Sequence, residues 1–308
     1  MVCPEASSLA FDAVLLAGPT ASGKSAAALA LAEAIDGVII NADSMQIYRE
    51  LAILSAAPSA ADLARLPHHL FGHVGAAEAY SVGRYAQEAA LVLARVRAEG
   101  RVPIFCGGTG LYFMALVSGI AAIPSVPPQI RAAVAKARAE LGAARFHAEL
   151  VRRDPASAGL NPADTQRTLR AMEVLEASGQ PLSFWQRHPA PAVLAGLRLR
   201  RFVLAPPRAE LYARIDARFL GMLELGALEE AAGLTELAPS LPAAKALGLR
   251  PLKDHLAGRL SLADAVVQAQ TATRNYAKRQ LTWFRHRMTD WTWVTHGNII
   301  IKNLLSDT

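Results

Sequence analysis

The segment Gly18-Pro19-Thr20-Ala21-Ser22-Gly23-Lys24-Ser25 constrains this chain more than any other stretch. It fits the pattern G-x-x-x-x-G-K-[ST]. Glycines let the backbone curl until its amide N–H groups converge on an anion. A helix that follows adds the positive end of its dipole. Lys24 reaches the terminal phosphate, and the Ser25 hydroxyl can hold Mg²⁺. Such a loop works only between a buried strand and a helix, and the flanking sequence supplies both. The apolar run Ala-Val-Leu-Leu-Ala at 13–17 stops at Gly18, and residues 25–35 are rich in Ala and Leu. The loop therefore holds a polyphosphate, nucleotide or otherwise, without saying which.

The same alternation continues. Residues 38–40 read as a second strand ending in Asn41-Ala42-Asp43, and residues 81–99 as a helix capped by Ser81. Residues 102–106 read as a third strand ending in Gly107-Gly108. Strand–helix alternation implies an α/β fold with a parallel, doubly wound sheet of the P-loop NTPase-like kind, flanked by helices. Ligands of such sheets sit beyond the carboxyl ends of the strands, which is where the three glycine or carboxylate motifs fall. Pro124, Pro127 and Pro128, then Pro189 and Pro191, bracket a stretch with only helical signals, at 129–141, 143–152 and 164–178. The expected organisation is an α/β core over 10–123 and 198–290, an inserted all-helical subdomain over 124–197, and a tail over 291–308. Residues 201–205 read as a strand returning to the sheet, and the tail as a short packed strand. Hydrophobic residues form 52% of the 308, enough for a large core.

Asp43 should project at the same sheet edge as the loop. There it could hold a metal, accept a proton from a nucleophile, or merely close an Asx-turn. The Thr109 hydroxyl could bond phosphate or cap the helix at Leu111. No acid follows the third strand, which counts against nucleotide hydrolysis. Two cysteines, Cys3 and Cys106, rule out a disulfide framework and a cysteine-based zinc site, and fit a reducing compartment. His69 and His73 have the i, i+4 spacing of a zinc pair, but Gly72 between them argues against a helix. Residues 1–10 lack the basic start of a signal peptide, and the run at 13–17 is far too short to span a bilayer. A cytoplasmic protein without membrane contact is expected. The net charge of +6 is compatible with a polyanionic partner.

Taken together, GPTASGKS (18–25), NADSMQIYR (41–49), CGGTGLYF (106–113), NPADTQRTLRAMEV (161–174) and TRNYAKRQLTWFR (271–285) resemble the motifs of the tRNA dimethylallyltransferase family, also called tRNA isopentenyltransferases. They occur in the family's order and span most of the chain. The resemblance implies transfer of the five-carbon group of dimethylallyl diphosphate to the exocyclic N6 amine of the adenosine that follows the anticodon, with release of diphosphate. It implies that Gly18, Pro19, Thr20, Ala21, Ser22, Gly23, Lys24 and Ser25 hold the diphosphate with Mg²⁺ at Ser25. Catalysis would fall to Asp43 as general base, with Lys24 and with Thr109 facing the reaction centre. It implies tRNA contacts from Asp43, Ser44, Met45, Gln46 and Thr109, and from Arg131, Gln166, Arg167, Thr168, Leu169 and Arg170 in the insert, which would grip the anticodon stem-loop. A monomer is the family's habit.

The sequence departs from the family pattern in places. The family usually carries threonine and lysine before the proline that follows Arg49; residues 51–58 here contain no basic residue. His68 to His73 lacks an acidic residue often found there, and Leu160-Asn161 replaces isoleucine-histidine. The zinc finger of eukaryotic members is absent. Near the carboxyl end, Arg274, Lys278 and Arg285 recur near helical spacing with Tyr276, Trp283 and Phe284 between them. The aromatics read as the inward face of an amphipathic helix, and some of the basic residues as nucleic-acid contacts. Two other functions share the loop. A P-loop kinase for a small acceptor would consume ATP, and a non-catalytic RNA-binding module would tolerate decay of Lys24, Ser25, Asp43 and Thr109.

Overall fold

The structure, a computed structural model, describes residues 9–305. Cys3 and the first residues, on which the reading of the N-terminus rests, lie outside them. The described chain divides into two compact units, one of residues 9–116 with 193–305 and one of residues 117–192.

The larger unit is built on six parallel strands: β1 (Ala13–Ala17), β2 (Gly37–Asn41), β3 (His68–His69), β4 (Val102–Gly107), β5 (Leu199–Leu204) and β6 (Thr292–Val294). Their order is β3-β2-β4-β1-β5-β6, so the first strand is central and the chain winds outward from it on both sides. Both faces of the middle strands are buried, which is why they read as continuous apolar runs rather than alternating ones. On one face, Val14, Leu16, Ile39, Ile104, Cys106, Phe202 and Leu204 pack with Ala28, Leu31 and Ile35 of α1 (Lys24–Ile35). Leu15, Val38, Ile40, Phe105 and Val203 are just as deeply buried on the other.

The helix expected at 81–99 is α3 (Val82–Ala98), and Ser81 caps it by accepting the Arg84 N–H at 3.2 Å. It follows a short α2 (Ala60–Arg65), while α4 (Gly110–Ser118) starts directly after β4. Tyr85 of α3 stacks on Tyr112 of α4, their rings 3.8 Å apart and 10° from parallel. The tail holds β6, which adds to the sheet edge beside β5. It ends in α12 (Gly297–Leu305), whose Ile300 and Leu304 pack against α1.

The smaller unit is helical: α5 (Pro128–Arg153), α6 (Thr165–Ser178) and α7 (Leu182–Arg187). The two helices expected at 129–141 and 143–152 meet as one element broken at Gly142, whose φ of 73° only glycine adopts readily. Val134, Phe146, Leu150, Ala171, Met172 and Leu175 form its core. Back in the larger unit, α8 (Arg208–Glu224), α9 (Ala227–Gly233), α10 (Leu249–Leu256) and α11 (Leu262–Arg287) complete the chain. Phe219, Met222, Leu249, Leu252, Ala265 and Ala269 give these helices a core that also takes in Ile47, Tyr48 and Leu51.

Candidate active site

Because the strands are parallel, the loop after β1, the turn after β2 and the glycine turn after β4 share one edge. Backbone hydrogen bonds join them: Gly18 N–H donates to Gly107 O at 3.2 Å, Ala42 N–H to Cys106 O at 2.8 Å, and Thr109 N–H to Ala42 O at 3.1 Å. The 18–25 loop leaves β1 and opens α1, the setting its sequence pattern calls for. Ala21 (φ 62°) and Gly23 (φ 90°) take left-handed backbone, the local curl that turns amides inward. Ser22 Oγ is buried in the loop without a hydrogen-bond partner.

Asn41 fixes the turn after β2. It is fully buried; its Oδ1 accepts the Asp43 N–H at 2.7 Å, and its Nδ2 donates to Asp43 O and Leu70 O, both at 2.9 Å. Asp43 Oδ1 then accepts the Met45 N–H at 3.0 Å. The Asx-turn is therefore real, yet it engages one carboxylate oxygen only. The turn holds the carboxylate still while Asp43 lines the cavity next to the loop. Its charge is felt by Lys24, Arg218, Tyr276 and Tyr112. Thr109 does not cap the helix at Leu111 with its side chain. Its Oγ1 accepts the Ser44 N–H at 2.9 Å and donates to Ser44 Oγ at 3.2 Å, tying the β4 turn to the β2 turn.

A cavity of about 370 Å³ opens here, lined among others by Thr20, Lys24, Asp43, Cys106, Arg214 and Arg218. Two of these cations come from α8, more than 190 residues from the loop in sequence. Arg218 donates to Thr20 Oγ1 at 2.5 Å, and Arg214 to Ser22 O at 3.2 Å. Residues 55–58, where a basic residue is missing, line the same cavity, so its positive charge comes from Lys24 and α8. Burial pulls the Lys24 ammonium below its ordinary range, and nearby Arg218 adds to this; the Asp43 charge partly offsets both. Burial likewise lowers Arg218 and pushes the Cys106 thiol up to about 12. An anion placed among these cations would relieve the desolvation each suffers.

Gln280 of α11 completes the site. Buried, it accepts the Thr20 N–H at 2.9 Å through Oε1 and donates Nε2 to Gly108 O at 2.8 Å, bracing the phosphate loop against the glycine turn. No side chain fits at Gly108. A Cβ there would lie 2.4 Å from Gln280 Nε2 and 3.0 Å from Asp43 Oδ2.

Sequence reasoning named Lys24, Asp43 and Thr109, and the fold brings all three together. It missed Arg214, Arg218 and Gln280, for which only a general basic or helical signal existed. Among the expected tRNA contacts, Ser44 and Met45 are half-buried in the β2 turn. Gln46 is buried, with Nε2 donating to Ser55 O and Ala56 O at 3.1 and 2.7 Å, so its amide nitrogen serves the protein itself. In the smaller unit, Arg131, Gln166 and Arg167 are exposed, and Arg170 is half-buried beside Glu173. Thr168 corrects the expectation: it is fully buried and its hydroxyl donates to Asp164 O at 2.9 Å, so its side chain cannot meet a partner. Leu169 packs against the unit's apolar core. His69 lies in β3 and His73 in the loop beyond it, where Nε2 pairs with Glu88 at 2.8 Å, so the helical spacing does not apply to them. Phe284 is buried as expected, and Arg274 is bound to Asp216 at 2.5 Å.

Comparison with known proteins agrees on one family. The family model described as IPP transferase matches residues 46–287, and that described as isopentenyl transferase matches residues 11–70. Among similar proteins, the tRNA dimethylallyltransferase of Rhodopseudomonas palustris (strain BisB18) is 53% identical over 92% of this chain and 90% of its own length. That of Parvibaculum lavamentivorans is also 53% identical, over 91% of this chain and 89% of its own. The full-length tRNA isopentenylpyrophosphate transferase from Bacillus halodurans superposes with a TM-score of 0.65 at 29% identity, covering 95% of this chain and 94% of that one. A eukaryotic dimethylallyltransferase acting on tRNA gives 0.75 at 25% identity, covering 88% and 69%.

Proposed function

The chain belongs to the IPP transferase family, and from that premise we infer that it is a tRNA dimethylallyltransferase. It moves the dimethylallyl group of dimethylallyl diphosphate to the N6 amine of the adenosine 3′ to the anticodon and releases diphosphate. The observation that carries this reading is the carboxylate of Asp43 beside a phosphate loop ringed by Lys24, Arg214 and Arg218.

The chemistry follows from that juxtaposition. Loss of diphosphate from an allylic carbon passes through a partly cationic transition state, with negative charge growing on the leaving oxygens. The amides of the loop's carboxyl half where it opens α1, Lys24 and the two arginines of α8 are fixed where that charge appears, in a site of low dielectric. The incoming amine is a weak nucleophile, because its lone pair is shared with the ring. Asp43 would take its proton as the new C–N bond forms, a contribution of about 10²–10⁴-fold. The adenine must leave its stack to reach the carbon.

Mg²⁺ fits the donor set. Ser25 stands exposed at the head of α1, and no group of three or more His, Cys, Asp or Glu side chains poised for a metal occurs among the described residues. That suits an ion held by one or two protein oxygens and the substrate's own phosphates. Ser25 would hold it, and it would neutralise charge on the leaving diphosphate. Contacts to tRNA are assigned to the β2 turn at Asp43, Ser44 and Met45, to Thr109, and to Arg131, Gln166, Arg167 and Arg170. No helix of the described residues is long and apolar enough to cross a membrane. A monomer working in the cytoplasm is part of the proposed reading.

The test is mass spectrometry of nucleosides from unmodified tRNA incubated with the protein, Mg²⁺ and dimethylallyl diphosphate, without ATP. Isopentenyl adenosine next to the anticodon is expected. Unmodified tRNA, with ATP consumed on a small acceptor instead, would transfer the site to a kinase.

A further inference from the structure

Residues 55–58 form one wall of the reaction cavity, opposite no strand or helix of their own. They lie between a single 3₁₀ turn (Arg49–Leu51) and α2. Hydrogen bonds impose their shape instead. Ala56 N–H donates to Ile53 O and Ala57 N–H to Ala52 O, both at 2.9 Å, the paired bonds of a Schellman turn. Such a turn needs left-handed backbone at the residue that glycine usually fills, and here that residue is Ala56, with φ 54°. A side chain in that region is strained, and the conformation persists only where the surroundings over-determine it.

The surroundings do so from two sides. From α9, Glu230 forks onto two successive amides. Its Oε2 accepts the Ile53 N–H and its Oε1 the Leu54 N–H, each at 2.8 Å. From the turn after β2, Gln46 Nε2 holds the carbonyls of Ser55 and Ala56. Ser55 N–H returns to Leu51 O at 3.1 Å, so every amide from 53 to 57 has a partner. Ala227 and Ala231 of α9 pack in one core with Leu51 and Leu54, which fixes the helix that carries Glu230 against the turn. Glu230 does not itself line the cavity; its reach into the site runs through the backbone it holds.

The wall offers the cavity a hydroxyl and small apolar groups, with no charge. What it gives a ligand therefore depends on where its backbone stands. We propose that Glu230 is a positioning residue for the allylic diphosphate donor: its fork on Ile53 and Leu54 holds the strained turn at Ala56 and so sets the wall against which the donor fits. The proposal rests on the transferase reading for the identity of the donor. Preorganising a wall before the ligand arrives spares the ordering cost at binding, so its loss appears in donor affinity.

The test uses the full chain, with Glu230→Ala and Glu230→Gln. The first removes both acceptors. The second keeps one oxygen for one amide and is the milder change should the alanine variant fail to fold, which a thermal melt checks. Calorimetry with Mg²⁺ and dimethylallyl diphosphate, without tRNA, reads donor binding in the absence of turnover. Glu230→Ala should weaken it about tenfold, and Glu230→Gln less. KM for the donor should rise in the same order, with KM for tRNA and kcat at saturating donor unmoved. Ala56→Gly placed in the Glu230→Gln protein should recover part of the donor affinity, because glycine takes the left-handed backbone without strain. A merely structural glutamate would lower the melting temperature and leave donor affinity of the folded protein at the wild-type value; that result would overturn the proposal. So would an equal rise in both KM values, or no recovery with Ala56→Gly. Failure of the transferase reading would show separately, as wild type that yields no modified nucleoside.

Discussion

Replacing Gln280 with leucine removes the brace between the phosphate loop and the glycine turn while keeping a side chain of similar bulk. Two backbone groups lose their partners: the Thr20 N–H at 2.9 Å and the Gly108 carbonyl at 2.8 Å. Orphaning a buried polar group costs about 1–3 kcal/mol. Gly108 is buried and bears the full cost, whereas Thr20 is partly exposed and water can reach its amide. The sum should be about 2–4 kcal/mol. Urea unfolding reads it as a shifted midpoint with an unchanged slope. The loop also loses a restraint on its anion-binding shape, so affinity for dimethylallyl diphosphate should fall about tenfold, or about 1.4 kcal/mol. Gln280→Glu keeps an acceptor for Thr20 but sets a negative charge beside the loop, and should weaken diphosphate binding further than leucine does. A Gln280→Leu protein within about 0.5 kcal/mol of wild type, binding the diphosphate normally, would refute the brace.

Other expectations follow from the same site. Gly108→Ala should displace Gln280 and crowd Asp43, since the new methyl would lie 2.4 Å from Gln280 Nε2 and 3.0 Å from Asp43 Oδ2; single-turnover rates should fall more than tRNA affinity does. Lys24→Met should stabilise the ligand-free protein while abolishing diphosphate binding, because burial depresses the lysine in the folded state. The penalty it removes is full below that depressed pKa and fades as pH rises toward the lysine's unfolded value, so the gain in thermal melting should shrink at high pH. Cys106, pushed up to about 12 by burial, should resist iodoacetamide at neutral pH until the protein is denatured, as peptide mass spectrometry would show.

The sequence announced the loop, Asp43 and Thr109 because each sits within a few residues of a strand end, where local pattern and function coincide. Periodicity could not reveal Arg214, Arg218 or Gln280. Each meets the loop from a helix some 190 to 260 residues away in sequence, and which face of a helix looks at which strand end is a tertiary fact. The strand β3 was hard to see for a different reason: two residues long at the sheet edge, it carries almost no pattern, whereas the short strand expected in the tail is β6. Thr168 shows the opposite failure. A polar residue between Arg167 and Leu169 reads as surface, but its hydroxyl is satisfied by the preceding turn of its own helix, which lets it sit in the core.

The central claim is that Asp43 takes the proton of the attacking amine while the neighbouring loop holds the diphosphate. Single-turnover transfer with Asp43→Ala tests it most directly, with tRNA and dimethylallyl diphosphate prebound and tRNA affinity measured alongside. The account predicts tRNA binding close to wild type and a chemical step slower by about 10²–10⁴-fold. Transfer at the wild-type rate would contradict it.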